Sequence, residues 1–365
     1  MPALLVQQLD NMLQKLCPNG VQYSEIGTIA EIGTGSSNGN EADENGEYPF
    51  FVRSQTVKAK NHYEYDEEAI IIPGEGGIGD IFHYVNGKYA LHQRVYRIHF
   101  TSPLVDVRFT YYYMSANFKA FIMRKAVSAT VTSIRKPMIE QFRIPFPPLP
   151  VQQEIVRILD SFTELTAELT AELAARRKQY EHYRDELLTF GDNVPKATLG
   201  EICDFKYGKG NNIPSEAGEY PVYGCNGIVS TTNVFNSEDA PIIGHIGSAG
   251  IVNWGAGKHY VTYNGTICKA NPEKVLSKYV YHLLCSLHLE RFVKGSQPFL
   301  SYGDFSKEIV SVPTLAEQQR VITLLDHFDT ICNDLVSGLP AEIEARQKQY
   351  EYYRDKLLTF KELAV

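Results

Sequence analysis

Residues 175–190 read ARRKQYEHYRDELLTF, and residues 345–360 read ARQKQYEYYRDKLLTF, with three differences in sixteen positions. Repeats that build solenoids recur every 20–50 residues or so. A spacing of 170 residues is that of a domain, so the chain must fold as two comparable halves, each carrying one copy of the same helix. The repeat also extends upstream. PPLPVQQEIVRILDSF (147–162) answers PTLAEQQRVITLLDHF (313–328), with Pro147, Gln152, Gln153, Leu159, Asp160 and Phe162 matching Pro313, Gln318, Gln319, Leu325, Asp326 and Phe328. A proline ahead of a periodic apolar run is a helix start signal.

From there the first copy holds a heptad. Its a positions are Leu159, Thr166, Leu173, Tyr180 and Leu187, and its d positions are Ile155, Phe162, Leu169, Arg176, Tyr183 and Phe190. Only Thr166 and Arg176 are not apolar, so the seam runs past the three heptads that mark a coiled coil. One helix over 152–190 would be about 58 Å long. In the second copy SGLP (337–340) breaks the seam, where Gly338 and Pro340 should end one helix and start another. So long an amphipathic helix must bury its stripe, and its own copy, packed antiparallel, is the economical partner. That assigns Tyr180, Tyr183, Tyr350 and Tyr353 to helix packing. LLVQQLDNMLQKL (4–16) adds a short N-terminal helix.

The segments between the helices also resemble each other. GEYP occurs at 46–49 and 218–221, Gly35 answers Gly208, and AIIIPGEGGIGDI (69–81) answers APIIGHIGSAGIV (240–252). RFTYYYMSANFKAFI (108–122) and KYVYHLLCSLHLERF (278–292) both read as aromatic-rich helices. Short β-like runs with many Gly, Asn, Ser and Tyr turns, followed by a helix, predict a mixed α/β block with much of its chain in loops. The expected class is α+β: an N-terminal helix (1–20), a first block (21–146), a central helical spacer (147–192), a second block (193–312) and a C-terminal helical region (313–365).

The net charge of −8 argues against nucleic acid until it is divided. Residues 21–145 hold 13 basic and 14 acidic side chains, residues 194–312 hold 10 and 10, and the remainder holds 12 and 19. The acid therefore lies in the helices. Within the blocks, residues 88–145 carry 10 basic against 2 acidic, and 258–294 carry 6 against 2. A phosphate backbone responds to such local faces rather than to the sum. No stretch approaches the ~18 apolar residues of a membrane span, and MPALLVQQLD has no basic residue ahead of its apolar patch, so no secretion signal is read. The six scattered cysteines form no C-x-x-C pair and read as reduced cytosolic thiols.

Tools of catalysis are not evident. PGEGGIGD (73–80) and GTGSSNG (33–39) fit neither a P-loop nor a dinucleotide fingerprint, and read as tight loops that let backbone approach a partner. No nucleophile elbow, zincin or kinase set occurs, the histidines form no metal-like pairs, and a lone Glu75 or Asp80 beside glycines reads as a turn residue. No catalytic or metal residue is assigned.

Two copies of PPLxxQQxI leading into a heptad helix that ends KQYExYRDxLLTF resemble the specificity (S) subunit of type I restriction–modification systems, as does ALHQRVYRI (90–98). The resemblance spans nearly the whole chain. It implies that the blocks are target recognition domains, each reading half of a split DNA site. The paired helices would set the gap and dock two methyltransferase subunits, to which translocating nuclease subunits attach. The subunit itself would be non-catalytic, with S-adenosylmethionine, ATP and magnesium bound by its partners. The break at SGLP departs from an even spacer. Base readout needs side chains with paired hydrogen-bonding groups on polar loops. The candidates are Arg53, Ser54, Gln55, His92, Gln93, Arg94, Thr130, Thr132, Ser133 and Arg135 in the first block, and Asn226, His245, Ser248, Asn264, Ser296, Gln297 and Ser301 in the second. Lys119, Arg124, Lys125, Lys136, Arg291 and Lys294 are the candidates for phosphate. Two other readings stay open: a specificity chain for a fused methylase–nuclease, and a coiled-coil scaffold binding proteins or glycans.

Overall fold

A computed structural model describes residues 2–125, 133–210, 217–333 and 338–363. Its six main helices are α1 (Pro2–Leu16), α2 (Val107–Lys125), α3 (Leu149–Leu187), α4 (Ser277–Ser286), α5 (Leu315–Asn333) and α6 (Leu339–Leu357). The chain forms two compact units. The first comprises Met1–Glu168 with Glu344–Val365, and the second comprises Leu169–Ile343.

Each unit holds a six-stranded sheet of the same topology. In the first the strands are β1 (Ala30–Thr34), β2 (Tyr48–Phe51), β3 (Lys58–Lys60), β4 (Tyr65–Pro73), β5 (His83–Leu91) and β6 (Val95–Phe100), ordered β1-β6-β4-β5-β2-β3. In the second they are β7 (Cys203–Tyr207), β8 (Tyr220–Gly224), β9 (Gly227–Thr232), β10 (Ser237–Gly244), β11 (Val252–Val261) and β12 (Gly265–Ala270), ordered β7-β12-β10-β11-β8-β9. All pairings are antiparallel except β2 with β5 and β8 with β11, which are parallel. Strands reach ten residues, so the blocks hold more regular sheet than the turn-rich sequence suggests.

The apolar run AIII in β4 reflects burial on both faces. Ile70 and Ile72 pack with Met114, Phe118 and Ile122 of α2, while Ala69 and Ile71 join Phe51, Tyr89 and Leu91 behind the sheet. Two repeated glycines are close-approach positions. A Cβ on Gly35 would stand 1.8 Å from the Leu91 carbonyl oxygen, and one on Gly208 would stand 2.1 Å from that of Thr262. No side chain fits at either. The ends of each block are tied into a neck: Gln22–Glu25 pairs with Arg143–Phe146, and Lys196–Thr198 with Ile309–Ser311.

The repeated letters upstream of the heptad dock each block on its helix. Gln152 and Gln318 are fully buried. Gln152 accepts from the Asp106 amide (2.8 Å) and donates to the carbonyls of Leu104 (2.9 Å) and Pro147 (2.7 Å). Gln318 does the same with the Leu276 amide (2.8 Å) and the carbonyls of Lys274 (3.0 Å) and Pro313 (2.9 Å). Two turns on, Asp160 accepts from Arg108 and Tyr112, and Asp326 accepts from His282 with Lys278 at 3.3 Å. Burial alone would raise the Asp326 carboxyl, but the His282 hydrogen bond and the Lys278 charge outweigh it and hold it below its ordinary value.

The two copies of the helix are shared between the units. In the first unit, Ile155, Leu159 and Phe162 of α3 share a core with Leu357 and Leu358, and Phe162 stacks on Tyr353 at 5.6 Å. In the second, Val321, Ile322 and Leu325 of α5 share a core with Tyr180 and Leu187, and Tyr183 stacks on Phe328 at 5.4 Å. With Arg177 near Cys332, α5 and the last turns of α3 run antiparallel. The front of each copy thus packs with the tail of the other. The seam is buried at Ile155, Leu159, Phe162 and Tyr180, whereas Thr166, Leu169, Leu173 and Leu187 are half-buried and Arg176 and Tyr183 are exposed.

Two boundaries differ from the sequence reading, and the break at SGLP falls where it was expected. α3 starts at Leu149 and ends at Leu187, before Phe190. The helix expected over 278–292 stops at Ser286, because His288 turns left-handed (φ 48°) before a short 3-10 turn at Leu289–Phe292. At the break, α5 ends at Asn333 and α6 begins at Leu339, with Pro340 in its first turn.

Candidate nucleic-acid interface

The glycine loops that follow β4 and β10 organise the candidate surfaces, and the same hydrogen bonds build both. In the first unit the Gly74 amide donates to the Arg94 carbonyl (2.9 Å), and the Gly74 carbonyl accepts from the Ile134 amide (2.8 Å). In the second, the His245 amide donates to the Asn264 carbonyl (2.8 Å), and its carbonyl accepts from the Leu300 amide (2.9 Å). Three segments distant in sequence are thereby joined in each unit: the glycine loop, the turn before the last sheet strand, and the segment after the helix. Left-handed glycines, Gly76, Gly77 and Gly79 in one loop and Gly247 and Gly250 in the other, permit the turns.

In the first unit Arg53, Ser54 and His92 line a cleft of about 410 Å³ with Gly39, Lys58 and Glu75. Glu75 accepts from Arg94 (2.8 and 3.0 Å) and Arg53 (3.2 Å). The Arg94 hydrogen bonds hold the Glu75 carboxyl below its ordinary value. His92 is buried, and its Nδ1 accepts from the Arg94 amide at 3.0 Å, so it shapes the turn. Burial, with the charges of Arg53 and Arg94, pushes the His92 pKa down. Gln93 donates to Asn38 (2.8 Å), and Gln55 is exposed in the loop after β2. Ser133 and Arg135 flank Ile134 beside Gly74, while Thr130 and Thr132 lie outside the described residues.

In the second unit the candidates gather around residues 244–248. The Gly247 amide donates to the Pro298 carbonyl (3.0 Å), bringing Ser296 and Gln297 alongside the loop that carries Ser248. Asn226 is exposed at the β8–β9 hairpin, whose Cys225 approaches Gly247. Asn264 is exposed, but His245 is not: it is 1% exposed, bonded through Nδ1 to the Leu300 carbonyl (2.6 Å) and packed against Tyr207, Tyr263 and Phe299. Ser301 caps a helical turn by accepting from the Gly303 amide. His245 and Ser301 build the loop from within.

Most candidate phosphate ligands already hold a carboxylate. Lys119 pairs with Asp80 (2.7 Å), Lys136 with Glu140 (3.8 Å), Arg291 with Glu308 and Lys294 with Asp304 (2.6 Å). Arg124 is exposed and, among the described residues, bonds only its own helix, at the Ala120 carbonyl; the Lys125 side chain lies outside the described residues. The sequence reading passed over Glu75 and the aromatic packing around His245. The partners of Glu75 stand 22 and 19 residues away, so no local pattern announces them. Among the described residues there is no cluster of metal-ligating side chains, and no helix is long and apolar enough to cross a membrane.

Comparison with known proteins accounts for the doubled plan. The family model for the type I restriction modification DNA specificity domain matches twice, over residues 18–176 and 192–345. The Escherichia coli EcoR124I/EcoR124II specificity subunit is 37% identical over 248 residues, spanning 58% of this chain and 60% of that subunit. A putative type I specificity subunit of Haemophilus influenzae is 30% identical over 348 residues, spanning 86% of this chain and 89% of the relative. The fold matches that of a type I restriction–modification S subunit from M. genitalium, with a TM-score of 0.67 at 19% identity over 93% of this chain and 96% of that one. With two family domains, two sheets of one topology and a helix copied for each, the chain belongs to the type I restriction–modification DNA specificity family.

Proposed function

We propose that each block reads one half of a bipartite DNA site, and that the repeated helices fix the gap and dock two methyltransferase subunits, with nuclease–translocase subunits joining the complex. The observation that carries this reading is one loop scaffold furnished twice with different side chains. Gly74 beside Glu75 and Arg94 in one unit corresponds to His245 beside Asn264 in the other. Shared backbone with divergent lining suits two unlike half-sites read in the same way. Arg53, Ser54, Gln55, Gln93, Arg94, Thr130, Thr132, Ser133 and Arg135 would carry readout in the first block, and Asn226, Ser248, Asn264, Ser296 and Gln297 in the second. His92, His245 and Ser301 would shape the loops. The acid-rich helices suit protein docking rather than phosphate. Among the described side chains Arg124 is the candidate phosphate ligand least engaged by the fold, and Lys125 stays a candidate beside it. Lys119, Lys136, Arg291 and Lys294 would have to exchange a carboxylate for phosphate, so their contribution to affinity should be smaller. S-adenosylmethionine, ATP and magnesium belong to the partner subunits, and the complex works in the cytoplasm.

The test is to co-express the chain with its cognate methyltransferase in a methylation-free host and map modified bases genome-wide. A motif of two short specified halves around a fixed unspecified run is expected. A continuous motif, or none from a soluble, assembled complex, contradicts the proposal.

A further inference from the structure

We propose that Arg53, Glu75 and Arg94 form one reading element, in which Glu75 presents Arg94 to a guanine in the half-site of the first block. This rests on the recognition function proposed above and names the residues that set one base pair of it. Glu75 engages both arginines through Nη1 alone, which leaves the Nε–Nη2 edge of Arg94 without a hydrogen-bond partner among the described residues. That edge is a two-donor fork, and O6 and N7 of guanine are the matching acceptor pair in the major groove. A guanidinium already fixed by a carboxylate gives up less rotamer freedom on binding than a free one.

The carboxylate also argues against phosphate as the ligand. The Arg94 and Arg53 charges are offset in part by Glu75, which would repel a phosphate oxygen, whereas the guanine edge is neutral. Glu75 Oε1 accepts one hydrogen bond, from Arg94, and keeps a second lone pair. The N4 amino group of the cytosine paired with that guanine could donate to it. The element is on the surface, with the Arg94 and Glu75 side chains 56% and 35% exposed, so a base edge can reach it. Among the described residues the second unit has no counterpart: its matching turn carries Asn264, and His245 replaces Gly74 inside an aromatic setting.

The experiment maps the methylation motif of the whole methyltransferase complex carrying wild type, Arg94→Ala, Arg94→Lys or Glu75→Gln, and measures the salt dependence of its binding to a duplex bearing the wild-type motif. Discrimination at a single guanine·cytosine position of the first half should fall roughly ten- to a hundredfold in all three variants. The second half and the gap should stay as in wild type. Arg94→Lys should lose this discrimination like Arg94→Ala, since a lysine keeps the charge but not the fork, and its salt slope should match wild type. An unchanged motif with uniformly weaker binding would make Arg94 a phosphate ligand and overturn the proposal. So would loss of the whole first half, which marks Glu75 as structural only, or a first half without a guanine·cytosine pair. A wild-type complex that yields no split motif would instead refute the recognition function itself.

Discussion

Gln318→Ala is expected to destabilise the second unit by about 4 kcal/mol, and Gln152→Ala the first by a similar amount. Each glutamine is fully buried and makes three hydrogen bonds to backbone. Truncation leaves the Leu276 amide and the carbonyls of Lys274 and Pro313 unpaired in a dry interior, each at a cost of about 1–3 kcal/mol, and a domain's whole margin is about 5–15 kcal/mol. Gln153 and Gln319, the second letters of the same pairs, both lie exposed and make no such set. Their alanine variants should change stability by no more than about 0.5 kcal/mol. Urea unfolding of the four variants checks this. Equal, small losses in all four would show that the repeated pair is kept for another reason.

Phe162→Ala should cost the first unit about 3 kcal/mol. The ring is 7% exposed, sits in the core with Ile155, Leu159 and Leu357, and stacks on Tyr353 with an interplanar angle of 22°. Because Tyr353 belongs to the tail of the other copy, the loss should be non-additive with Tyr353→Ala. A double-mutant cycle should give a coupling of about 1 kcal/mol. The corresponding pair of Phe328 and Tyr183 should couple likewise. Additive effects in both cycles would mean that the tails do not support the fronts in solution.

The sequence made the doubling plain, because repeated letters need no structure to be read. It also marked Gln152/Gln318 and Asp160/Asp326 as recurring at fixed steps from Phe162/Phe328, but their role in docking each block on its helix came only with the hydrogen bonds. What it could not assign was which tail packs on which front. KQYExYRDxLLTF is nearly the same in both copies, so local preference is indifferent, and the choice is made by tertiary contacts such as Phe162 on Tyr353. The shortened α4 turned on a single left-handed residue, His288, which helix propensity does not foresee. In the candidate interface the loops were found by their glycines, because tight turns constrain residue type. Glu75 was read as a turn residue because its partners come from two other loops. His245 was placed with the base readers because polarity in sequence says nothing of burial, and Tyr207, Tyr263 and Phe299 enclose it only once the sheet is built.

The neck that closes each block bears on the central claim, that the two halves of the target are read separately. Residues 22–25 and 143–146 are paired strands, so the first block enters and leaves through one point. The most direct measurement replaces residues 21–146 with the corresponding block of another specificity subunit and maps methylated bases with the same methyltransferase. One half of the motif should change while the other half and the length of the gap are kept. A change in both halves, or in neither, would contradict the account.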